Sequence, residues 1–196
     1  MKGLVAALAF VPLQALAGAQ VNEPIDPVVL QTLTSQVADK AVPQLVFKDA
    51  EAGHRWLNTM QERLAKRIPD RKQRIELLKT VHYEAIRAQL DPQLVLGLIE
   101  VESGFRKYAV SSAGARGYTQ VMPFWTHTLG RSRDNLFQLR MNLRYGCVIL
   151  RHYLNLEKGD YFRALGRYNG SLGREEYPRA VLAAWKVRWG YAGATS

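Results

Sequence analysis

Hydrophobic positions recur at helical spacing along most of the chain after residue 26, whereas few runs alternate at the two-residue period of a strand. Aspartates precede several of these amphipathic stretches, and an aspartate side chain can cap the free N–H groups of a first helical turn. The pattern predicts helices over residues 26–47 (interrupted at Pro43), 49–68, 70–90, 91–102, 118–129, 139–156, 161–168 and 174–189. We therefore predict an all-α fold.

The helix predicted over residues 91–102 is the most apolar of the set. Leu94, Leu98 and Val101 recur at the intervals of a buried stripe, so we expect this helix at the centre of the fold. Residues 103–117, which follow it, are rich in Gly, Ser and Ala and show no period, so they predict a loop. A chain of 196 residues is long enough for one main domain with an appended segment.

The first residues have the layout of a secretory signal peptide. Lys2 precedes an apolar run over residues 4–13, and small-residue triplets suited to cleavage follow up to Ala19. This run is too short for a bilayer span, which needs about 20 residues, so we expect no stable membrane insertion. We predict a signal peptide at residues 1–19, a helical N-terminal extension at 20–69 and the main domain at 70–196, in a periplasmic or secreted protein.

Charge and cysteine content narrow the range of partners. The chain carries 27 Lys and Arg against 17 Asp and Glu, a formal charge of +10, which favours polyanions such as cell-wall polymer, anionic lipid or nucleic acid. Export points away from nucleic acid, so we expect no nucleic-acid partner. The single cysteine, Cys147, excludes an internal disulfide. The four histidines are widely separated and lack metal-ligand spacing, so we expect no metal and no cofactor.

Glu102 is the candidate acid. On a helix it lies beside Ile99, Leu98 and Val95, so its carboxyl group emerges from an apolar face where desolvation favours the protonated form. A protonated carboxyl can donate a proton to a leaving group and then act as a base. Glu100 lies about 200 degrees round the helix and is predicted to be structural.

Motifs around Glu102 carry a family resemblance. Residues 102–105 read E-S-x-F, residues 111–117 read S-x-x-G-A-x-G and residues 120–123 read Q-x-M-P, in that order. Further pieces follow at Asn142 and Gly146, at 164–169 (A-x-x-x-Y-N) and at Tyr177. Together they resemble the active-site signature of the lytic transglycosylases over roughly residues 76–189. The resemblance implies a lysozyme-like catalytic domain that cleaves peptidoglycan.

The chain also departs from that signature. Tyr118-Thr119 stands where the family usually has Leu-Met, and Trp125 stands where it usually has Thr. Arg167 replaces an Ala before the Tyr-Asn pair, and Ser171 replaces a Gly after it. These positions put the preference of the sugar subsites in question, whereas Glu102 is retained.

The resemblance also implies a role for each candidate residue. Glu102 serves as acid and then base while a MurNAc–GlcNAc bond is cut and the sugar's own 6-hydroxyl closes a 1,6-anhydro ring. Tyr168 is expected to hydrogen-bond and orient Glu102, and Ser111 to assist the N-acetyl group or the developing ring. Substrate binding is further expected at Gln120, Met122, Asn169 and Tyr177.

Two other functions remain open at this stage. Ordinary glycosidases pair two carboxylates, and no second acid lies inside the motifs, which separates this chain weakly from a hydrolytic, goose-type lysozyme-like muramidase. A non-catalytic peptidoglycan-binding assembly factor is the other alternative, supported by the basic surface and the unmatched extension. Partners beyond glycan strands are expected among envelope or secretion-machine proteins, for which the enzyme would clear the wall locally.

Overall fold

The computed structural model describes residues 20–38, 41–47 and 49–192, so the predicted signal peptide lies outside the described residues. In this part of the chain the fold is all-α, and pairing between extended segments is limited to isolated bridges, which confirms the predicted class. The helices are α1 (Pro27–Ala38), α2 (Ala50–Leu64), α3 (Arg71–Arg87), α4 (Pro92–Ser103), α5 (Phe124–Leu129), α6 (Leu139–Leu156), α7 (Tyr161–Asn169) and α8 (Glu176–Ala183), followed by a π-helical segment at Ala184–Arg188.

Aspartate side chains cap the starts of five of these helices, and the sequence predicts a helix at four of these aspartates. Asp26 accepts hydrogen bonds from the backbone N–H groups of Val28 (2.9 Å) and Val29 (3.2 Å) in the first turn of α1. The side chain of Asp49 accepts hydrogen bonds from two backbone N–H groups in the first turn of α2. Asp70, Asp91 and Asp160 each accept one in the first turns of α3, α4 and α7. Such caps satisfy donors that lack an intrahelical partner, so they fix where each helix begins.

Helix α4 lies at the centre of the fold, as predicted. It is buried along nearly its whole length and packs against α8 and the π-helical segment. Gly97 makes that approach possible, because a Cβ atom there would lie 2.9 Å from the backbone nitrogen of Trp185. The helix ends at Gly104, whose φ of 58° is the left-handed conformation that glycine adopts without strain.

The N-terminal helices share the core of the rest of the molecule. Leu33 and Val37 of α1, and Trp56, Met60 and Leu64 of α2, belong to the same buried cluster as the side chains of α4 and α6. Helix α1 contacts α5 and α6, and α2 contacts α3. Helices α1 and α2 therefore pack directly on the helices that follow them. In the part of the chain that the structure describes, no helix is long and apolar enough to cross a membrane.

Three predicted helices differ from the structure. The helix predicted over 26–47 is α1, which ends at Ala38, and residues 41–47 are not helical. Residues 118–121 are irregular, so the helix predicted over 118–129 is wrong in its first part; Gln120 has a left-handed φ of 48°. The side chain of Asn142 explains the difference: its Oδ1 accepts from the backbone N–H of Thr119 (2.9 Å) and its Nδ2 donates to the carbonyl of Arg116 (2.8 Å). These tertiary bonds replace the helical ladder. The stretch predicted over 174–189 is divided between α8 and the π-helical segment.

Candidate active site

Glu102 lies in the last turn of α4, next to the sharp turn at Gly104. The residue is half-buried, so solvent still reaches part of it. Burial of its carboxyl group is nevertheless the main cause that raises the pKa of Glu102 from 4.5 to about 8. At neutral pH this side chain is therefore mainly protonated and can donate a proton.

The hydroxyl of Tyr177 donates a hydrogen bond to Oε1 of Glu102. Tyr177 is in the first turn of α8 and is almost completely buried, so the bond joins the C-terminal end of α4 to the start of α8. This hydrogen bond favours the carboxylate and so opposes part of the rise in the pKa of Glu102. Burial raises the pKa of Tyr177 well above its ordinary value, so its hydroxyl remains a donor.

The expectation that Tyr168 hydrogen-bonds Glu102 is wrong in this geometry. The Tyr168 hydroxyl donates its one proton to the backbone carbonyl of Thr119, at 2.8 Å. Tyr168 is fully buried near the end of α7, from where it reaches the loop after Gly117. It still lies close to the acid, because the Glu102 carboxylate adds to the effect of burial in raising the pKa of Tyr168. Tyr177, predicted as a substrate-binding residue, orients Glu102 in its place.

The loop between α4 and α5 carries three of the predicted substrate-binding residues, and two of them also hold the loop together. Oγ of Ser111 accepts from the backbone N–H of Ala115 (3.1 Å). Nε2 of Gln120, a buried residue, donates to the carbonyls of Ala109 (3.1 Å) and Gly117 (2.9 Å). Met122, the third of them, is half-buried against the hydrophobic core.

Asn169 is buried at the last position of α7, directly after Tyr168. It therefore lies at the helix end that brings Tyr168 to the loop.

Thr119, which the sequence marks only as a departure from the family signature, is a structural residue of the site. It is fully buried. Its backbone carbonyl accepts the hydrogen bond from the Tyr168 hydroxyl, and its Oγ1 donates a hydrogen bond to Oδ1 of Asn142 (2.9 Å). Gly146, one helical turn after Asn142, makes room for it, because a Cβ atom there would lie 2.5 Å from Oγ1 of Thr119. The sequence contains the N-x-x-x-G motif at Asn142 and Gly146, but the contact of these two residues with Thr119 depends on the packing of α6 against the loop.

Gln20 is a residue that sequence reasoning missed. It is buried, with 6% of its surface exposed, and its Oε1 accepts from the backbone N–H of Met122 (3.2 Å) and from Nε1 of Trp125 (2.9 Å). No local signal could have found it, since more than 100 residues separate these partners in the chain.

Glu100 has the structural role expected of it. Its carboxylate accepts from Nη2 of Arg67 (2.6 Å), Nε of Arg188 (2.9 Å) and Nε1 of Trp189 (2.6 Å). These bonds tie α4 to the chain after α2 and to the C-terminal region. A carboxylate committed to two cations and an indole is not available as a second acid beside Glu102.

No group of three or more His, Cys, Asp or Glu side chains within residues 20–38, 41–47 and 49–192 is arranged to hold a metal ion. A cavity of about 490 Å³ lies between α1 and α6, where Thr34, Met141 and Arg144 are among its lining residues. The predicted site residues do not line this cavity, so it is separate from the site around Glu102.

The helical fold and the buried, largely protonated carboxyl of Glu102 define a lysozyme-like domain with an acid at its centre. Comparison with known proteins agrees, because the Transglycosylase SLT domain family matches residues 79–180, just over half of the chain. The chain belongs to this family. Its own motifs at 102–105, 111–117 and 120–123 all fall inside the matched range.

Individual relatives match this chain either at low identity or over a short stretch. A "Transglycosylase" of Enterobacteria phage PRD1 is 29% identical over 123 residues, covering 59% of this chain and 45% of the relative. "Membrane-bound lytic murein transglycosylase C" of Actinobacillus pleuropneumoniae serotype 5b (strain L20) is 46% identical over 56 residues, 29% of this chain and 14% of the relative. The chain thus spans less than half the length of these relatives. No solved structure gives a significant match.

Proposed function

We propose that the protein is a peptidoglycan lytic transglycosylase that cleaves the MurNAc–GlcNAc glycosidic bond and leaves 1,6-anhydromuramic acid ends. The observation that carries the proposal is the carboxyl of Glu102, which burial keeps largely protonated at neutral pH and which Tyr177 holds in place. Membership of the Transglycosylase SLT domain family supports the substrate class.

The chemistry needs one carboxyl group acting twice. Glu102 first gives its proton to the glycosidic oxygen, and the bond from that oxygen to the anomeric carbon breaks while the substrate's N-acetyl group supports the developing positive charge. The Glu102 carboxylate then accepts the proton of the C6 hydroxyl, whose oxygen bonds to the anomeric carbon and closes the ring. A raised pKa serves both steps, since the group starts as an acid and becomes a strong base once ionised.

The other residues position these groups. Tyr177 steadies the carboxyl of Glu102 and stabilises the carboxylate formed after proton transfer. Tyr168 acts through its bond to the carbonyl of Thr119, which fixes the loop beside the acid. We assign substrate binding to Ser111, Gln120, Met122, Asn169 and Tyr177, as the family resemblance implies.

We further propose the domain organisation and location that the sequence predicts. Residues 1–19 would direct export, 20–69 would form an extension that packs on the catalytic domain, and 70–196 would carry the reaction. The protein would act in the periplasm or outside the cell, without a metal or organic cofactor. Envelope or secretion-machine proteins would be its partners, for which it would open the wall locally.

The test is digestion of purified peptidoglycan followed by mass spectrometry of the soluble products. Anhydro-muropeptides, each one water lighter than the hydrolytic product, support the proposal when Glu102→Gln releases none and remains folded. Reducing-end products would instead identify a goose-type, hydrolytic muramidase. Binding to wall sacs without turnover by the unmodified protein would identify a non-catalytic assembly factor.

A further inference from the structure

The chain before α1 lies against the site. Gln20 is almost fully buried although it precedes the first helix, and the segment that follows it runs towards α1 past Trp125 and Tyr153. Glu23 in this segment forms an ion pair with Nη1 of Arg167 (3.2 Å), one residue before Tyr168. The segment at residues 20–26, called the N-terminal segment below, is therefore held at both the α5 end and the α7 end of the site.

The carboxamide of Gln20 uses both its acceptor and its donor. Its Oε1 accepts from the backbone N–H of Met122 and from Nε1 of Trp125, and its Nε2 lies 3.5 Å from the carbonyl of Gln120, to which it donates. A hydrogen bond from Gln20 also contributes to the environment of the Tyr168 hydroxyl. One side chain thus connects two predicted subsite residues, Gln120 and Met122, with the tyrosine beside the acid.

The contacts of the N-terminal segment coincide with departures from the family signature. Trp125 stands where the signature usually has Thr, and Arg167 stands where it usually has Ala. The indole N–H of Trp125 is the donor to Gln20, and the guanidinium of Arg167 is the partner of Glu23. The family match begins only at residue 79, so the segment lies outside the matched range.

Departure of the segment would leave polar groups without their partners. Trp125 is buried with the segment in place, and its indole N–H would lose the Gln20 acceptor if the segment left. The backbone N–H of Met122 would lose the same acceptor. The arrangement is therefore that of a fixed wall rather than of a lid that opens during each turnover.

We propose that Gln20 is a positioning residue: its carboxamide holds residues 120–125 in the conformation that binds the glycan strand, so the N-terminal segment completes the active site. This inference rests on the proposed function, because it assigns Gln20 to the substrate-binding side of that site. Gln20 acts through Gln120 and Met122 and has no chemical role of its own.

The experiment compares Gln20→Ala and Gln20→Glu with the unmodified exported chain, using fluorescently labelled peptidoglycan glycan strands. We expect Gln20→Ala to raise KM on the order of 10-fold, as loss of buried hydrogen bonds predicts, while kcat changes less than about 2-fold. Gln20→Glu keeps an oxygen that accepts hydrogen bonds from Met122 and Trp125. Its KM should therefore lie much closer to that of the unmodified chain than to that of Gln20→Ala. The matched control is Gln31→Ala, an exposed glutamine of α1, which should leave KM unchanged.

Binding of the same strands to Glu102→Gln, with and without Gln20→Ala, gives a readout that does not need turnover. If the double variant binds the strands on the order of 10-fold more weakly than Glu102→Gln alone, the proposal is supported. Equal affinities of the two variants overturn it. An alanine variant that melts at a lower temperature but keeps its KM would make Gln20 merely structural. A Gln20→Ala variant with higher activity would show that the segment obstructs the site, and a mature N-terminus after residue 20 would also overturn the proposal. Lack of turnover by the unmodified chain counts against the proposed function alone.

Discussion

Replacing Glu102 by Gln should stabilise the folded protein, and the gain should grow with pH. The amide has nearly the shape of the carboxyl, and its Oε1 can still accept the hydrogen bond from Tyr177. The difference is that the amide never ionises. In the unfolded chain Glu102 titrates near its ordinary pKa of 4.5, whereas in the folded protein burial raises the pKa to about 8. Between pH 4.5 and pH 8, Glu102 is therefore mainly ionised in the unfolded chain and mainly protonated in the folded protein.

The direction and size follow from proton linkage. A carboxyl whose pKa is raised on folding binds more protons when folded, so the free energy of unfolding falls as pH rises from 4.5 to 8. Each pKa unit corresponds to about 1.4 kcal/mol, so the cost reaches about 3 kcal/mol at pH 7 and about 5 kcal/mol at pH 9. Since Glu102 is only half-buried and water reaches part of it, these figures are upper bounds.

Denaturant unfolding of the unmodified protein and of Glu102→Gln from pH 4 to pH 9 measures this directly. We expect equal stabilities at pH 4, a variant that is more stable by about 2–3 kcal/mol at pH 7, and no further divergence well above pH 8. The matched control is the same substitution at an exposed glutamate, Glu62→Gln, which should show no such gain in stability. A Glu102→Gln difference that does not depend on pH would refute the assignment of a neutral buried acid.

Three other changes test separate parts of the structure. Tyr177→Phe removes the hydrogen bond that lowers the pKa of Glu102, so the alkaline limb of the pH–activity profile should move to higher pH and kcat should fall at least about 10-fold. An unchanged profile would contradict the orienting role of Tyr177. Gly97→Ala should cost about 1–3 kcal/mol in chemical denaturation, because the new methyl group meets the backbone of Trp185; a neutral result would mean that the π-helical segment moves freely. Burial lowers the pKa of His82 to about 4, so its contribution to stability is present above pH 6.5 and is lost as pH falls towards 4; His82→Asn should flatten that part of the stability curve, by up to about 3 kcal/mol, and an unaltered curve would count against it.

The sequence predicts the frame of the site because that frame is set locally. Asp91 caps α4, Gly104 ends it in a left-handed turn, and the apolar stripe between them brings Glu102 to the end of a buried helix. Each of these signals depends on neighbours within a few residues. The same is true of the exact range of α6, which the structure matches from Leu139 to Leu156.

The partners of the acid could not be predicted in this way, because they depend on packing between distant elements. Two tyrosines follow Glu102 at the expected places, and sequence alone does not decide which hydroxyl reaches it. The Tyr168 hydroxyl donates to the carbonyl of Thr119. That carbonyl is in place because the side chain of Asn142 holds the loop in a non-helical conformation. The contact of Gln20 with the same loop likewise has no local signal.

The most direct test of the account is mass spectrometry of the sugar ends released from purified peptidoglycan at neutral pH. We predict 1,6-anhydromuramic acid ends from the unmodified protein and none from a folded Glu102→Gln variant. Anhydro ends released at an undiminished rate by Glu102→Gln would contradict the claim that this one neutral carboxyl carries the reaction.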